Sequence, residues 1–302
     1  MIRFGISMLS ILIPTYNYNA LPLVKTIEQQ ALKTGIVYEL ICIDDGSFSP
    51  LNKENQKINY LTNCKFIENI KNVGSFANRK LLAQRAQYDW LLFVDADVTP
   101  KHSGFLENYL SEFKNNADAV FGGFAYYNNK LNENKTLRYT FGKHREEVSA
   151  AIRNKNPYKV IISSNFIIKK QVLFKVNRED VINVYGLDYL FGALLKSKKI
   201  EVNHIDNEVY HLGIDDNFSF LEKTKNAIEA LSYLHILKKV KSNSISLLKA
   251  YNILYFLGLA KLFGKVILKF NSKIETHLLS KNPHLFIFDL YRLGYFCKIK
   301  HP

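Results

Sequence analysis

Cysteine is nearly absent. Cys42, Cys64 and Cys297 are the three in 302 residues, and no two of them form a CxxC pair. So sparse and odd a set supplies neither a disulfide framework nor a thiolate metal site, and it fits a reducing compartment. Long apolar runs are missing as well. No segment reaches the roughly 18 uncharged residues that a membrane-spanning helix needs. Near the N-terminus, the run from Leu9 to Ile13 is too short for the apolar region of a signal peptide. These absences lead to the expectation of a cytoplasmic protein. Internal repeats and low-complexity linkers are also absent. Acidic residues are few beside basic ones, 27 against 41, for a net charge of +14. The deficit is greatest at the end of the chain: from Glu222 to Pro302 there are 14 Lys and Arg but 4 Asp and Glu, a difference of +10. A basic tail implies an anionic partner, either nucleic acid or an anionic membrane face.

What is present is enough apolar material, 47% of the residues, for one large domain or one domain with an appendage. Short apolar runs alternate with amphipathic stretches over the first two thirds. "LSILIP" (Leu9 to Pro14), "ELICID" (Glu39 to Asp44), "WLLFVD" (Trp90 to Asp95) and "AVFGGF" (Ala119 to Phe124) are continuous, as strands buried on both faces are. Between the first two lies "LPLVKTIEQQALKTG", helical in period and stopped by Gly35; "SFANRKLLAQRAQ" precedes the third. Strands alternating with helices predict a mostly parallel α/β sheet.

The strand ends carry the chemistry. They read "PTYN" (Pro14 to Asn17), "DDGS" (Asp44 to Ser47) and "DAD" (Asp95 to Asp97). Open α/β sheets bind ligands at the carboxyl ends of their strands. Four carboxylates brought to one edge would repel one another unless a cation or a donor-rich ligand sat among them. Oxygen ligands of this kind suit Mg²⁺ or Mn²⁺ bound together with substrate phosphates. Each segment alone has a plainer explanation. "DDGS" is a common turn, and "DAD" is more often a loop with a helix cap. "NVGSFANRK" (Asn72 to Lys80) alone is a turn and a helix start.

Taken together and in this order, "SILIPTYN", "IDDGS", "NVGSFANR" and "FVDAD" resemble the successive signature segments of the family-2 glycosyltransferases, over about residues 8–215. The resemblance implies the GT-A fold and inverting transfer of a sugar from a nucleotide-diphosphate donor to an acceptor hydroxyl. The donor it implies is UDP-linked. It also implies roles for residues. Thr15 and Tyr16 would line the nucleotide pocket and Asp45 would meet the base. Asn72, Gly74 and Arg79 would lie beside the nucleotide. Asp95 would stand by the ribose and the metal, Asp97 would be the main metal ligand, and His211 of "VYHLG" would complete the metal and diphosphate site. The base would be Asp188 in "YGLDYLFGALL", where Leu187 replaces the family's usual Glu. Lys80 likewise stands where Asn is common. Asn165 in "SSNF" would lie on a strand near the donor sugar.

The expected organisation is a GT-A-type catalytic domain over 1–220, a mostly parallel mixed sheet flanked by helices, followed by a basic helical region over 221–302. In that tail, "FLEKTKNAIEALSYLHILKKV" and "PHLFIFDLYRLGYF" read as apolar helices. In "LAKLFGKVILKF", Leu259, Leu262, Phe263, Val266, Ile267 and Phe270 share one face, with Lys261, Lys265 and Lys269 beside them. Two explanations of that stripe stand open: packing on the catalytic domain, or peripheral contact with an anionic inner membrane face. The expected partners are a nucleotide-sugar donor, a glycan or lipid-linked acceptor of cell-surface synthesis, and that membrane surface. Three other functions fit the sequence less well. A sugar-nucleotide nucleotidyltransferase would want a Gly-rich basic loop where this chain has "PTYNYNA". A nucleic-acid-binding module would mix aromatic and basic residues on one surface, whereas here they segregate. A non-catalytic donor-binding protein is disfavoured because Asp95, Asp97 and Asp188 are all present.

Overall fold

The computed structural model describes residues 8–128, 132–176, 188–236 and 245–301. Among these, ten strands form: β1 (Met8–Thr15), β2 (Val37–Asp44), β3 (Cys64–Glu68), β4 (Trp90–Val94), β5 (Val98–Pro100), β6 (Ala119–Phe121), β7 (Phe124–Ala125), β8 (Asn165–Lys169), β9 (Val202–His204) and β10 (Val209–His211). Thirteen α-helices accompany them: α1 (Leu21–Thr34), α2 (Asn52–Asn55), α3 (Ser75–Arg85), α4 (Phe105–Ser111), α5 (Thr136–Arg145), α6 (Ala150–Asn154), α7 (Lys170–Val176), α8 (Asp188–Ser197), α9 (Asn217–Ile236), α10 (Ser246–Phe256), α11 (Ala260–Lys269), α12 (Asn271–Leu278) and α13 (Leu285–Lys300). The contacts fall into two compact units. One comprises 1–125, 148–183 and 195–213; the other comprises 126–147, 184–194 and 214–302.

The first unit is the sheet. Seven strands run in the order β3-β2-β1-β4-β8-β6-β9. β1, β2, β3 and β4 pair in parallel, and β8 enters antiparallel between β4 and β6. The apolar runs are continuous because both faces are covered: Leu9, Ile11, Leu12 and Ile13 of β1 are all fully buried, as are Leu91, Leu92 and Phe93 of β4. α1 ends as its sequence foretells. Gly35 takes a left-handed φ of 67° and donates to the carbonyls of Ala31 and Leu32.

"AVFGGF" is not one strand, as expected, but two. β6 stops at Phe121, and β7 pairs with β10 in a separate three-stranded sheet, β5-β10-β7. The pair Gly122–Gly123 makes the transfer. A Cβ on Gly122 would lie 2.4 Å from Asn165 Nδ2, and Gly123 has φ +88° with Arg153 against it. No side chain fits at the first position, and few residues adopt the backbone of the second. This small sheet delivers His211 to the site.

The second unit is helical. Its core gathers Leu137 from α5, Phe220 and Leu221 from α9, Leu278 from α12, and Phe288 and Tyr291 from α13. Arg138 lies buried in the same unit, paired with Glu146 at 2.9 Å and lying over the Phe220 ring. The helical region therefore does not begin at 221: α5 and the residues around it share its core, because Leu137 and Phe141 pack where Phe220 and Phe288 meet. Five helices, α9 to α13, stand where three were expected. No single helix among the described residues is long and apolar enough to cross a membrane.

Candidate functional site

The "DDGS" turn and the "NVG" loop are built as one piece. Asp44, buried at the end of β2, accepts from Ser47 N (2.8 Å) and Ser47 Oγ (2.7 Å) and closes the turn on itself. Asp45 is 3% exposed. Its carboxylate accepts from the backbone N–H of Val73 (2.9 Å) and of Gly74 (2.7 Å), so it fixes the loop that precedes α3. Gly46 is needed for a second reason besides its φ of +66°: a Cβ there would lie 2.4 Å from the Lys71 carbonyl carbon. Asn69 and Asn78 complete the hold. Asn69 N donates to the Asp44 carbonyl at 2.9 Å, and Asn78 Nδ2 donates to the Ile43 carbonyl at 3.0 Å. Sequence reasoning missed both residues. Asn78 lies inside the motif, but its partner is a backbone carbonyl 35 residues away.

Thr15 ends β1, and its carbonyl receives the Asp45 N–H at 2.9 Å. Tyr16 and Asn72 are exposed at the same strand ends. Arg79, one turn into α3, donates to Asp95, and its Nε is buried with no partner in the protein. Ser164 Oγ donates to the other Asp95 oxygen at 2.6 Å, and Asp95 N donates to the Ser164 carbonyl at 3.1 Å. Both oxygens of Asp95 are thus engaged. Ser164 carried no signal of its own in the sequence. It acts because β8 starts beside the end of β4, with Asn165 opposite Val94.

Asp97 faces His211. The Oδ2 to Nε2 distance is 3.4 Å, and the His211 ring stacks on Phe124 with centroids 5.1 Å apart. Two pairings set this geometry: His211 is in register with Val98, and Leu212 N donates to the Asp97 carbonyl at 2.9 Å. Burial pushes the Asp97 pKa up, but the hydrogen bond and charge of His211, with Arg79 behind, outweigh it and leave Asp97 below the usual carboxylate range. Asp95 moves the other way. Burial raises its pKa and the Asp97 charge adds to this, against the opposing pull of Arg79 and Ser164. Tyr18 is raised by burial and by the Asp97 charge.

Among the described residues no group of three or more His, Cys, Asp or Glu side chains is set to hold a metal ion. The donor set at this edge is the pair Asp97 and His211. Of this pair, the Asp97 carboxylate is the ligand type that Mg²⁺ and Mn²⁺ favour, and such ions usually take only one or two carboxylates from the protein, whereas the His211 imidazole is a softer ligand.

One expected residue, Asn165, stands apart from this cluster. Asn165 does not face a ligand. It is fully buried, donates to the carbonyls of Gly123 (3.0 Å) and Asn207 (2.8 Å), and accepts from Tyr109 (2.7 Å). Asp188 is the first residue of α8, where a helix was expected to open; its side chain and Leu187 lie outside the described structure.

Known proteins with related folds frame this geometry. The structure of S. aureus TarS 1–349 in complex with UDP-GlcNAc matches with a TM-score of 0.50 and 17% identity, over 74% of this chain and 66% of that one. A second S. aureus TarS structure matches with a TM-score of 0.50 and 17% identity, over 76% and 43%. The match thus spans less than two thirds of those chains. Comparison with curated protein sequences gives no match. The likeness to TarS is one of fold, the GT-A sheet. The family model for "Glycosyl transferase family 2" matches residues 10–176, more than half of the chain. That span holds Asp45, Arg79, Asp95, Asp97 and Ser164 together, and the chain belongs to glycosyl transferase family 2.

Proposed function

We propose that this glycosyltransferase moves a sugar, with inversion, from a UDP-linked donor to an acceptor hydroxyl of a glycan or lipid-linked intermediate in cell-surface glycan synthesis, on the cytoplasmic side. The observation that carries the reading is the gathering of Asp45, Asp95, Asp97 and His211 at the strand ends of one unit. The UDP assignment is supported by the TarS complex with UDP-GlcNAc, whose fold is similar.

The residues divide the work. Asp45 holds the Val73–Gly74 loop beside the nucleotide, accepts from Asn69 Nδ2 as well, and keeps one lone pair for the base edge. Thr15, Tyr16, Asn72 and Gly74 line the same edge. Arg79 fixes Asp95 and presents a buried Nε–H that a diphosphate oxygen can accept. Asp97 and His211 would hold Mg²⁺ or Mn²⁺, with Asp95 beside them. When bound, the ion stabilises the negative charge that develops on the departing diphosphate. Asp188, opening α8, takes the proton of the acceptor hydroxyl as it attacks.

Titration calorimetry with UDP tests the site. Binding should require Mg²⁺ or Mn²⁺, vanish with chelator, and be largely abolished by Asp97→Ala. Equal binding with and without metal removes the metal assignment. Asp188→Asn should keep UDP affinity while sugar transfer falls by ~10²–10⁴; a variant that transfers normally means another residue is the base. Donor hydrolysis across UDP-, GDP- and dTDP-sugars decides the nucleotide.

A further inference from the structure

The helical unit carries a surface that its own packing does not use. α11 meets α13 through small residues. Ala260 and Gly264 are buried, a Cβ on Gly264 would lie 3.2 Å from the Lys298 backbone nitrogen, and Gly294 leaves room for Ile267. The packed face is therefore not the apolar stripe expected from the sequence. Phe263 and Ile267 are half-buried beside it, but Leu259, Leu262, Val266 and Phe270 point outward and are exposed. Lys261, Lys265 and Lys269, all exposed, run four apart along the adjoining strip. α10 meets α11 at 112°, and the corner between them bares Ile253, Tyr255, Phe256 and Leu257. Phe256 is 90% exposed. Exposed single apolar residues are ordinary, but a contiguous cluster of this size marks a contact.

We propose that the α10–α11 corner seats in the headgroup layer of an anionic bilayer, with Phe256, Leu257 and Leu262 entering the acyl boundary and the lysines meeting lipid phosphates. Charge selects this occupant. From Ala230 to Ile274 the chain has no Asp or Glu and eight lysines, of which Lys249, Lys261, Lys265, Lys269 and Lys273 are described and exposed. A second copy of the chain is disfavoured on the same ground, because a two-fold contact would set lysine row against lysine row. Aromatic residues at the corner suit the polar–apolar boundary of a bilayer. The helices, 11 and 10 residues long, rise about 1.5 Å per residue and are too short to cross a core of about 30 Å, so they lie in the interface. The proposal does not depend on the donor, metal or base assignments.

Vesicle flotation of the whole chain tests it. Vesicles of phosphatidylcholine mixed with phosphatidylglycerol should carry the protein, pure phosphatidylcholine should carry much less, and added salt should release it. Replacing Lys261, Lys265 and Lys269 by Glu should lower partitioning by ~100-fold, about fivefold for each lysine lost near the surface. Phe256→Ser with Leu262→Ser should abolish flotation while circular dichroism and UDP binding stay as in the unaltered protein. Hydrogen exchange on the unaltered protein supplies a check that needs no variant: anionic vesicles should protect amides around 253–266. Absence of flotation with anionic vesicles overturns the proposal, as does equal, salt-insensitive flotation with neutral ones. A dimer in sedimentation that the Phe256, Leu262 double change dissolves, without flotation, also overturns it and gives the surface to a second copy.

Discussion

The strand ends of the sheet unit and the α10–α11 corner of the helical unit break the usual rule of burial in opposite directions. At the first, polar and charged groups are inside. Asp45, Arg153, Asn165 and His204 are at most 3% exposed, and each is supplied with partners. At the second, large apolar groups are outside, Ile253, Phe256, Leu257 and Leu262 among them. A buried polar group costs free energy unless its hydrogen bonds are made, so the sheet unit must be exact where it is polar. An exposed Phe costs the fold almost nothing, so the corner is free to be used by something else. The first kind of site is held by stability; the second is independent of it.

The largest test of that contrast is Arg153. Its guanidinium donates to the carbonyls of Val148, Phe121, Gly122 and Ile205 and to His204 Nδ1. Arg153→Met fills much of the space but takes a hydrogen bond from four carbonyls, of which those of Phe121 and Gly122 keep a backbone donor, and the unfolding free energy should drop by about 3 kcal/mol or more. Urea denaturation measures it, and a loss below 1 kcal/mol on that order-of-magnitude scale would mean that water replaces the arginine.

His204 gives a smaller and pH-dependent effect. Burial, and then the Arg153 charge, lower its pKa to about 4 against the pull of the Pro157 carbonyl. The folded pKa is below the unfolded one. Its contribution is therefore fully present above the unfolded value near 6.5 and is lost as pH falls toward 4. Between pH 6.5 and 5 the stability should fall by about 1.5 kcal/mol. A His204→Gln variant should lack that slope.

The smallest expected effect falls on the other region. Phe256→Ser should change the unfolding free energy by less than about 0.5 kcal/mol, the range of ordinary surface substitutions. A thermal melt that drops by many degrees would show that the corner is packed in solution and would erase the contrast.

Much of this was legible in the sequence, and the reasons for the rest are physical. β1, β2 and β4 read directly because strands buried on both faces are uninterrupted apolar runs. α1 read directly because its period and Gly35 agree. The break at Gly122–Gly123 did not, since a glycine pair in an apolar run looks like weakened strand until Asn165 and Arg153 are seen pressed against it. Asp95 and Asp97 announced themselves, but Ser164, Asn69 and Asn78 did not. Their partners are 69, 25 and 35 residues away, and nothing local marks a serine or asparagine that bonds at such a distance. On α11 the period identified a helix with an apolar stripe but not which side would pack. Gly264, easily overlooked, lies against α13 at Cys297 and Lys298, while Leu262 and Val266 stay outside.

The antiparallel strand β8 also bears on how the chain is made. β6 precedes it by more than forty residues, yet both sheet neighbours of β6, β8 and β9, come later in the chain. During synthesis, β4 therefore waits with an open edge and β6 waits with two. Such edges pair readily with other strands, including those of neighbouring nascent chains. At β4 the hazard persists until residues 165–169 leave the ribosome and join the two halves of the sheet, and the same event brings Ser164 to Asp95, while the other edge of β6 stays open until β9 follows. The hold on Asp95 and the cover of the β4 edge thus arrive in one step.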